Sequence, residues 1–431
     1  MIAMVLATAG EAGSGIAGDS TAKQPPLGSA SPIAPLPRIT VRAVAEGYAY
    51  LAGRDSGKRF IPKGFNHTVL DLDGRGWHAT FNTHIYDPEA MERTLTRMEK
   101  LGANVVRVWI WGTQNETGFT GARESEGLNA AYMRNVLDFL RRATVHGIYV
   151  VPILDEVPHN AEYRRLAASV DAPPWPDPVR GHNRQYLAKG PIAAKAACAR
   201  DFVRYIKNTE SALLNTVLAW SLANEVFVRH NAYPFRLDEG EVVTANGRGY
   251  DMALPEERQA CWDEGVLHWA NTLAEAIRSV DPDALVTAGM WTSDAHGRPP
   301  ASGLMPDGKD PRRPPRPSVL GGPASKLDLI DVHIYPWGGT AEVRREAHER
   351  ALVSANRIPA LVGEYGVFKN KAAAEAREMM SEMLRQAYAM GYQGDIHWVW
   401  DLTGVRRQTW SAVEEGIGAF VMGIERKERV Q

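Results

Sequence analysis

The chain has 431 residues, enough for one large α/β barrel with insertions or for two ordinary domains. Its 49 lysines and arginines nearly balance its 51 aspartates and glutamates, and the formal net charge is -2. This balance does not favour binding to nucleic acid or to an acidic membrane surface, so we expect neither as a partner. We expect a neutral or small substrate instead.

The first residues differ in composition from the rest of the chain. Residues 1–9 are apolar and end in Ala-Thr-Ala, and a stretch rich in Gly, Ser, Ala and Pro follows as far as Pro37. This resembles the end of a secretory signal without its basic start, although a leader with no targeting role fits equally well. We expect residues 1–38 to lie outside the fold, residues 39–431 to form a single domain, and the protein to be secreted or periplasmic. No apolar run approaches the roughly 20 residues of a membrane-spanning helix.

Strand and helix patterns alternate along the chain. Loose alternation over 39–51 predicts a small N-terminal hairpin that caps one end of the domain. Beyond it, short apolar runs predict eight strands, and amphipathic patterns between them predict helices. The predicted strands span 60–67, 104–111, 148–154, 217–222, 284–289, 327–335, 359–364 and 395–400, and the predicted helices span 87–101, 128–146, 193–208, 255–280, 342–356 and 372–390.

This alternation implies parallel strands joined by right-handed crossovers, and a count of eight favours a closed (β/α)8 TIM barrel over an open sheet. An open sheet would also be expected to carry a glycine-rich phosphate turn after its first strand, and none is present there. Three connections that follow strands are long, at 155–189, 229–254 and 291–326. Because strand-to-helix loops share one face of a barrel, we expect these three to wall a groove across that face.

Two of the predicted strands end in a glutamate. The strand around Trp220 runs into Asn224 and Glu225, and the strand around Leu361 runs into Glu364. A carboxylate at the carboxyl end of a barrel strand lies at the mouth, where the chemistry takes place. One such glutamate alone is more simply the first solvated residue of a loop. Two of them are what a two-carboxylate glycoside hydrolase needs.

Other polar and aromatic side chains fall on the same strand ends. Arg107 interrupts a strand that is otherwise apolar on both faces, and a buried guanidinium needs a carboxylate or a substrate as its partner. His333 and Tyr335 close the sixth strand, and Trp398 and Trp400 lie on the last. Taken singly, each is more simply an ion-pair partner, a hydrogen-bonded core residue or core filling. Their joint placement favours a site.

Together these residues resemble glycoside hydrolase family 5 and its relatives in the same clan of barrels, which include cellulases and β-mannanases. The resemblance covers roughly residues 40–425 and rests on the order of five features. They are Arg107 inside the second strand, Asn224-Glu225 closing the fourth, His333-Ile334-Tyr335 closing the sixth, Glu364 after Leu361-Val362-Gly363 closing the seventh, and Gly394-Asp395-Ile396-His397-Trp398 on the eighth.

The resemblance implies a role for each position. Glu225 would be the general acid/base and Glu364 the nucleophile of a retaining mechanism, with Arg107 keeping Glu364 ionised. Elementary chemistry agrees, because a neighbouring arginine lowers a carboxyl pKa and a less polar setting raises it. The other expected substrate-binding residues are Asn224, His333, Tyr335, Trp398 and Trp400. Asn224 would bond the sugar 2-hydroxyl, and His333 and Tyr335 would line the reacting subsite. Trp398 would form the floor of that subsite.

Two features depart from the family's pattern. Val226 follows Asn-Glu where the family usually has proline, which should leave the chemistry untouched. The histidine often found after the third strand has only His159 as a loosely placed candidate, so His159 is not assigned to the site.

The twelve tryptophans divide into two groups. Those inside predicted strands or helices are expected to be core, whereas those in loops on the open face are candidate platforms for sugar rings or anchors for long loops. The first group contains Trp220, Trp262 and Trp269, and the second contains Trp77, Trp175, Trp291 and Trp337.

We expect neither a metal nor a cofactor. Cys198 and Cys261 lack the spacing of a zinc site and are expected to be buried apolar side chains, while a disulfide between them depends on a distance that the sequence does not give. A metal-dependent barrel hydrolase would need a His-x-His pair or an equivalent ligand cluster at the end of the first strand, and Asn66-His67 does not provide one. Activity should therefore survive chelation.

The sequence thus predicts a monomeric, retaining β-glycoside hydrolase whose partner is a carbohydrate substrate, endo-acting on a β-1,4-linked glucan or mannan. Glucan, mannan and galactan are not distinguished, because the deciding residues lie in the loops. Two alternatives stay open, an exo-acting glycosidase of the same clan and a barrel that binds carbohydrate without cleaving it. The intact pair Glu225 and Glu364 argues against the second.

Overall fold

The computed structural model describes residues 34–42, 47–50, 56–71, 78–110, 116–171, 177–291, 311–335, 358–405 and 408–424. The predicted helix 342–356, most of the predicted leader, and Trp77, Trp175 and Trp337 lie outside these residues, as does the side chain of Trp291.

The strands are short and follow the predicted order. They are β1 (Ile39–Val41), β2 (Tyr48–Tyr50), β3 (Arg59–Phe60), β4 (Lys63–His67), β5 (Val105–Ile110), β6 (Tyr149–Leu154), β7 (Trp220–Ser221), β8 (Val228–Arg229), β9 (Glu241–Val243), β10 (Gly249–Asp251), β11 (Val286–Thr287), β12 (Gly289–Trp291), β13 (Arg312–Arg313), β14 (Ile330–Ile334), β15 (Ala360–Tyr365) and β16 (Asp395–His397).

The helices of the described residues lie between these strands, except for the last one, which follows β16. They are α1 (Pro88–Lys100), α2 (Ala130–Val145), α3 (Ala161–Val170), α4 (Arg184–Leu187), α5 (Lys189–Glu210), α6 (Pro255–Arg278), α7 (Pro317–Leu320), α8 (Ala373–Ala389) and α9 (Ile417–Gly423), with a 3-10 turn at Ser211–Thr216 after α5. None of the described helices is both long enough and apolar enough to cross a membrane.

Nine of the described strands form one parallel sheet in the order β11-β7-β6-β5-β4-β16-β15-β14-β12. β11 and β12 are two halves of a single strand interrupted at Ala288, so the sheet has eight strands. The first half pairs with β7 and the second with β14, which joins the two ends of the sheet. This arrangement, with helices between most of the successive strands in the described part of the chain, confirms the (β/α)8 barrel.

The barrel forms because its strands are apolar on both faces, as parallel strands covered by helices must be. Every residue of β5, β6 and β15 is buried. The helices turn one apolar stripe toward these strands. In α1, Met91, Leu95 and Met98 are buried, and the side chain of Asp87 caps the helix by accepting from the backbone N–H groups of Glu89 and Ala90.

An antiparallel sheet of β1, β2 and β3 covers the amino-terminal end of the barrel. Ile39, Tyr48 and Phe60 of this sheet pack against the first residues of the barrel strands, among them Val105 and Tyr149. The predicted hairpin is therefore present with a third strand added. The opposite end, where the strands have their carboxyl ends, is left for the site.

The chain is held in place before the predicted boundary at residue 38. Arg38 forms an ion pair with Asp281, and Leu36 packs against the cluster that contains Ile39. A charged side chain held by a carboxylate fixes the position of this segment next to the domain, and the boundary at residue 39 stays a prediction. The chain divides into the units Met1–Ala34 and Pro35–Gln431, and the second contains every strand and helix named above.

The three long connections carry short elements of their own. The first contains α3 and α4, the second the hairpin of β9 and β10, and the third β13 and α7. β8, which begins three residues beyond Glu225, pairs with β13, so the chain leaving β7 is tied to the third connection. That the connections wall a groove stays a prediction.

Core predictions from the sequence agree with the structure where the residues are described. Trp220, Trp262 and Trp269 are buried. Cys198 and Cys261 are buried free thiols.

Candidate active site

Five of the predicted site residues meet at the carboxyl ends of neighbouring barrel strands. Asn224 and Glu225 follow β7 after Leu222 and Ala223, and His333 and Glu364 lie opposite each other in the register of β14 and β15. Arg107 lies within β5. Parallel strands place their carboxyl ends at one edge, which explains why residues so distant in sequence come together.

Arg107 is the centre of this cluster and is fully buried. Its Nη1 donates to Glu364 Oε1 at 2.7 Å and to the side-chain oxygens of Asn66 and Asn224, each at 3.1 Å. Its Nε lies 3.4 Å from Asp331 Oδ2. A guanidinium can be buried at acceptable cost when its charge is paired, and Glu364 and Asp331 supply carboxylate partners of the kind that the sequence predicts.

Glu364 receives hydrogen bonds on both of its carboxylate oxygens. Arg107 donates to Oε1, and the hydroxyl of Tyr335 donates to Oε2 at 2.6 Å. Burial raises the pKa of Glu364, the charges of His333 and Arg107 oppose the rise, and the negative charge of Glu225 adds to it. The direct donors nevertheless all favour the ionised form of this side chain.

Glu225 is the more accessible of the two carboxyls. Its side chain is 18% exposed, against 4% for Glu364, and its Oε1 lies 3.0 Å from His333 Nδ1. Burial by itself would raise the pKa of Glu225, but the hydrogen bond with His333 together with the positive charges of His333 and Arg312 holds the pKa below its usual value. Glu225 is thus open to a ligand on one side and held by His333 on the other.

The two carboxyl groups are close. One oxygen of Glu225 and one of Glu364 lie within 4.8 Å of each other. Retaining glycosidases place their carboxyls about 5 to 5.5 Å apart, whereas inverting enzymes leave about 6.5 to 9.5 Å for a water molecule. The spacing in this site suits direct attack by one carboxylate on a sugar held between the two. Groups this close titrate as a pair.

His333 lies between the two carboxyls and Arg107. Its Nδ1 is 3.0 Å from Glu225 and 3.5 Å from Glu364, and its Nε2 is 3.2 Å from Arg107 Nη2 and 3.6 Å from Asp331 Oδ1. Burial lowers the pKa of His333, but the three carboxylates around it outweigh both burial and Arg107 and raise it to about 9. The three carboxylates thus favour the imidazolium form of His333, and Arg107 opposes it.

Trp398 forms part of an aromatic layer above the cluster. It is buried, packs edge-on to Trp109 with ring centroids 5.1 Å apart, and shares a hydrophobic cluster with Tyr335. The imidazole ring of His78 stacks on the ring of Trp109, with the two ring centroids 4.4 Å apart. Trp398 and Tyr335 thus belong to one buried cluster, and the role of Trp398 as the floor of the reacting subsite stays a prediction.

The structure does not bring Trp400 to this site. Its ring packs against Phe65 at a centroid distance of 5.1 Å and lies under the guanidinium of Arg97 from α1, within the core between barrel and helices. The sequence-based prediction assumed an extended strand through residue 400, in which alternate residues share a face. β16 ends at His397, so the alternation stops before Trp400 and the prediction for this residue is corrected.

The third strand contributes Asp155 rather than His159. Asp155 Oδ1 accepts a hydrogen bond from the backbone N–H of Asn224 at 2.8 Å, one residue before Glu225. His159 lies further along the loop, where burial and the charges of Arg123 and Arg164 lower its pKa.

Sequence reasoning also missed Asn66, Trp109, Asp331 and His78. The first three lie on predicted strands, and Asp331 stands two residues before His333, so strand alternation could have placed it on the same face. His78 lies in a loop without periodic pattern, and no comparable signal marks it.

Glu225, His333 and Glu364 are the described residues whose spacing comes nearest to that of metal ligands, with one potential ligand atom from each within 4.8 Å of the others. The guanidinium of Arg107, which donates to Glu364, already supplies positive charge at this point. A cation would be repelled by it, and the donor set therefore does not fit a metal site.

Comparisons of the sequence with protein families and with individual proteins agree on one family. A model of the cellulase family, glycosyl hydrolase family 5, matches residues 70–404. The chain is 23% identical over 388 residues to a probable mannan endo-1,4-beta-mannosidase C of Aspergillus terreus, covering 83% of this chain and 88% of that protein. It is 21% identical over 372 residues to mannan endo-1,4-beta-mannosidase A of Podospora anserina, covering 82% and 83%.

The fold is also found among solved structures. The endo-1,4-beta-mannanase from Rhizomucor miehei superposes with a TM-score of 0.58 at 15% identity, covering 90% of this chain and 96% of that one. With the family model matching most of its length, the chain belongs to glycosyl hydrolase family 5 and is a retaining β-glycoside hydrolase.

Proposed function

We propose that this enzyme is an endo-acting β-1,4-mannanase in which Glu364 is the nucleophile and Glu225 the general acid/base. One observation carries the division of roles. Glu364 accepts hydrogen bonds from two donors, Arg107 and Tyr335, whereas Glu225 is the more exposed carboxyl and contacts His333. The names of the relatives, mannan endo-1,4-beta-mannosidases, support mannan as the substrate.

The reaction follows in two steps. Glu364 attacks the anomeric carbon and forms a glycosyl ester, while Glu225 gives its proton to the departing glycosidic oxygen. Glu225, now ionised, takes a proton from water, whose oxygen attacks the anomeric carbon and releases the Glu364 carboxylate. Two inversions at the same carbon restore the original β configuration.

The pair of carboxyls must hold one proton for the first step. The proton belongs to the pair rather than to either residue, and the reactive form is the one with the proton on Glu225. Arg107 and Tyr335 stabilise the Glu364 anion that this form contains, whereas the burial of Glu364 and the contact of His333 with Glu225 favour the form with the proton on Glu364. The pH–rate profile should therefore be bell-shaped, limited by protonation of the pair on one side and by its full ionisation on the other.

Asn224 is placed to bind the sugar next to the reacting bond. Its side-chain oxygen accepts from Arg107 at 3.1 Å, which turns the amide nitrogen away from the guanidinium. That nitrogen can donate to the 2-hydroxyl, a contact that strengthens in the transition state of retaining glycosidases. Asp155, through its bond to the Asn224 N–H, fixes the backbone from which Asn224 and Glu225 extend.

The two tryptophans at the end of the barrel give a matched pair of variants. Trp398→Phe should lower kcat/KM on mannan, because Trp398 lies in the aromatic layer with Tyr335. Trp400→Phe should destabilise the fold by about 0.5 to 3 kcal/mol and leave kcat/KM close to wild type, because its ring fills the core. Kinetics and thermal unfolding of the two variants check this, and equal effects on kcat/KM would contradict the placement of Trp398 in the site.

The substrate is tested on a panel of β-mannan, β-1,4-glucan and β-galactan. We expect mannan to be cleaved best, with viscosity falling well before most reducing ends have appeared, since internal cuts shorten chains fastest. Steady release of single sugars with little loss of viscosity would identify an exo-acting enzyme instead. Preference for glucan or galactan would overturn the substrate, and no release of reducing sugar from any substrate would overturn the catalytic proposal.

The proposal treats residues 39–431 as one catalytic domain that acts as a monomer without a nucleic-acid partner. A polymeric substrate does not cross a membrane unaided, so we propose a secreted or periplasmic location. Together with the apolar residues 1–9, this is the reason to look for the enzyme outside the cytoplasm.

A further inference from the structure

Asp331 is a fully buried carboxylate directly beside the proposed catalytic cluster. Its Oδ2 lies 3.4 Å from Arg107 Nε, and its Oδ1 lies 3.6 Å from His333 Nε2. Neither of its oxygens has a hydrogen-bond partner among the described residues. Its attraction to the protein is therefore ionic and is directed at two side chains of the site.

The backbone opposite Asp331 has no side chain at the point where the Asp331 carboxylate lies. Gly363 lies on the neighbouring strand β15, and a Cβ at this position would come within 1.6 Å of Asp331 Oδ1. Glycine within a strand costs roughly 0.5 to 1 kcal/mol relative to alanine. The space it leaves is occupied by the Asp331 carboxylate, so the two residues form one arrangement across β14 and β15.

This arrangement places Arg107 between two carboxylates. Nη1 faces Glu364, while Nε faces Asp331, so the guanidinium is held from two sides. A planar guanidinium held through two different nitrogens has little freedom to rotate. His333 is likewise held between Asp331 at Nε2 and Glu225 at Nδ1.

We propose that Asp331 is a positioning residue of the hydrolase, which holds Arg107 and His333 so that they meet Glu364 and Glu225 in the reactive geometry. This inference rests on the proposed function, because it assumes that Arg107 and His333 serve these two carboxyls. Asp331 itself touches neither the sugar nor the reacting atoms.

The negative charge of Asp331 also acts on the carboxyl pair Glu225 and Glu364. The groups that face it are Arg107 from β5, His333 from its own strand, Glu225 beyond β7 and the Tyr48 hydroxyl from the cap sheet. Burial raises the pKa of Asp331, but Arg107 and His333 outweigh burial and the charge of Glu225, so its pKa is below the usual value. Asp331 is thus an anion at neutral pH, and removing its charge lowers the pKa of every acidic group nearby.

The test is Asp331→Asn, which keeps the shape and removes the charge. We expect kcat on an aryl β-mannoside to fall about 10- to 100-fold with little change in KM, because misplaced Arg107 and His333 fail mainly in the transition state. Both limbs of the pH–rate profile should move to lower pH. The matched control is Asp328→Asn, which removes a carboxylate paired with Arg278 before β14 and should leave kcat and the pH profile unchanged.

A second variant covers the case in which Asp331→Asn does not fold. Gly363→Ala keeps the charge but forces the Asp331 carboxylate aside, so kcat should fall in the same way. In Asp331→Ala/Gly363→Ala the methyl group enters the vacated space, and the loss should not exceed that of Asp331→Ala alone. Wild-type kcat in Gly363→Ala, or a folded Asp331→Asn with wild-type kcat and pH profile, would overturn the inference. Failure of the proposed function would appear separately, as activity retained in Glu364→Ala.

Discussion

Glu364→Ala should lower kcat by at least about 10⁴-fold on every β-glycoside tested, whatever the leaving group. The variant lacks the atom that attacks the anomeric carbon, so neither step of the reaction can proceed. It also leaves Arg107 and the Tyr335 hydroxyl without their shared carboxylate, which removes the negative charge around which the site is arranged.

The measurement is steady-state turnover of an aryl β-mannoside and of mannan, with thermal unfolding to show that the variant is folded. Glu375→Ala is a matched control, because Glu375 lies on α8 and pairs with a nearby lysine at the surface. Turnover within about tenfold of wild type in Glu364→Ala would remove this residue from the chemistry.

Glu225→Ala should separate the two steps. With an aryl glycoside whose leaving group needs little protonation, the first step should stay fast, while the second should be crippled because no base activates water. The expected time course is a burst of released phenol equal in concentration to the enzyme, followed by slow turnover. On mannan, whose leaving group needs the proton, both steps should fail.

Rapid mixing with the aryl glycoside checks this result. A burst shows that the glycosyl-enzyme accumulates, and its size counts the active sites. Absence of a burst together with an equal loss on good and poor leaving groups would argue that Glu225 is not the acid/base.

Most of the cluster could be predicted because barrel geometry maps strand ends onto one edge. Glu225, His333 and Glu364 stand at the ends of apolar runs, and parallel pairing of those runs brings them together without further information. Arg107 could be predicted for a different reason, since a buried guanidinium requires a carboxylate and Glu364 provides it.

The features of the site that the sequence does not predict depend on where strands end and on contacts between neighbouring strands. Trp400 is a misplaced prediction because β16 ends at His397, a boundary that an apolar run of six residues does not reveal. The pairing of Asp331 with Gly363 depends on the register between β14 and β15, which shifts beyond Val332. A register shift leaves no mark in the spacing of either strand, so the space at Gly363 appears only in three dimensions.

The configuration of the product formed with azide tests the assignment of the two carboxylates most directly. In Glu225→Ala, azide attacks the glycosyl-enzyme from the side that water would use, and the account predicts a β-glycosyl azide. In Glu364→Ala, azide must replace the nucleophile itself, and the account predicts the α-azide. Proton NMR of the two products distinguishes the anomers. The α-azide from Glu225→Ala and the β-azide from Glu364→Ala would reverse the two roles, and near-wild-type activity of both variants without azide would contradict the catalytic assignment altogether.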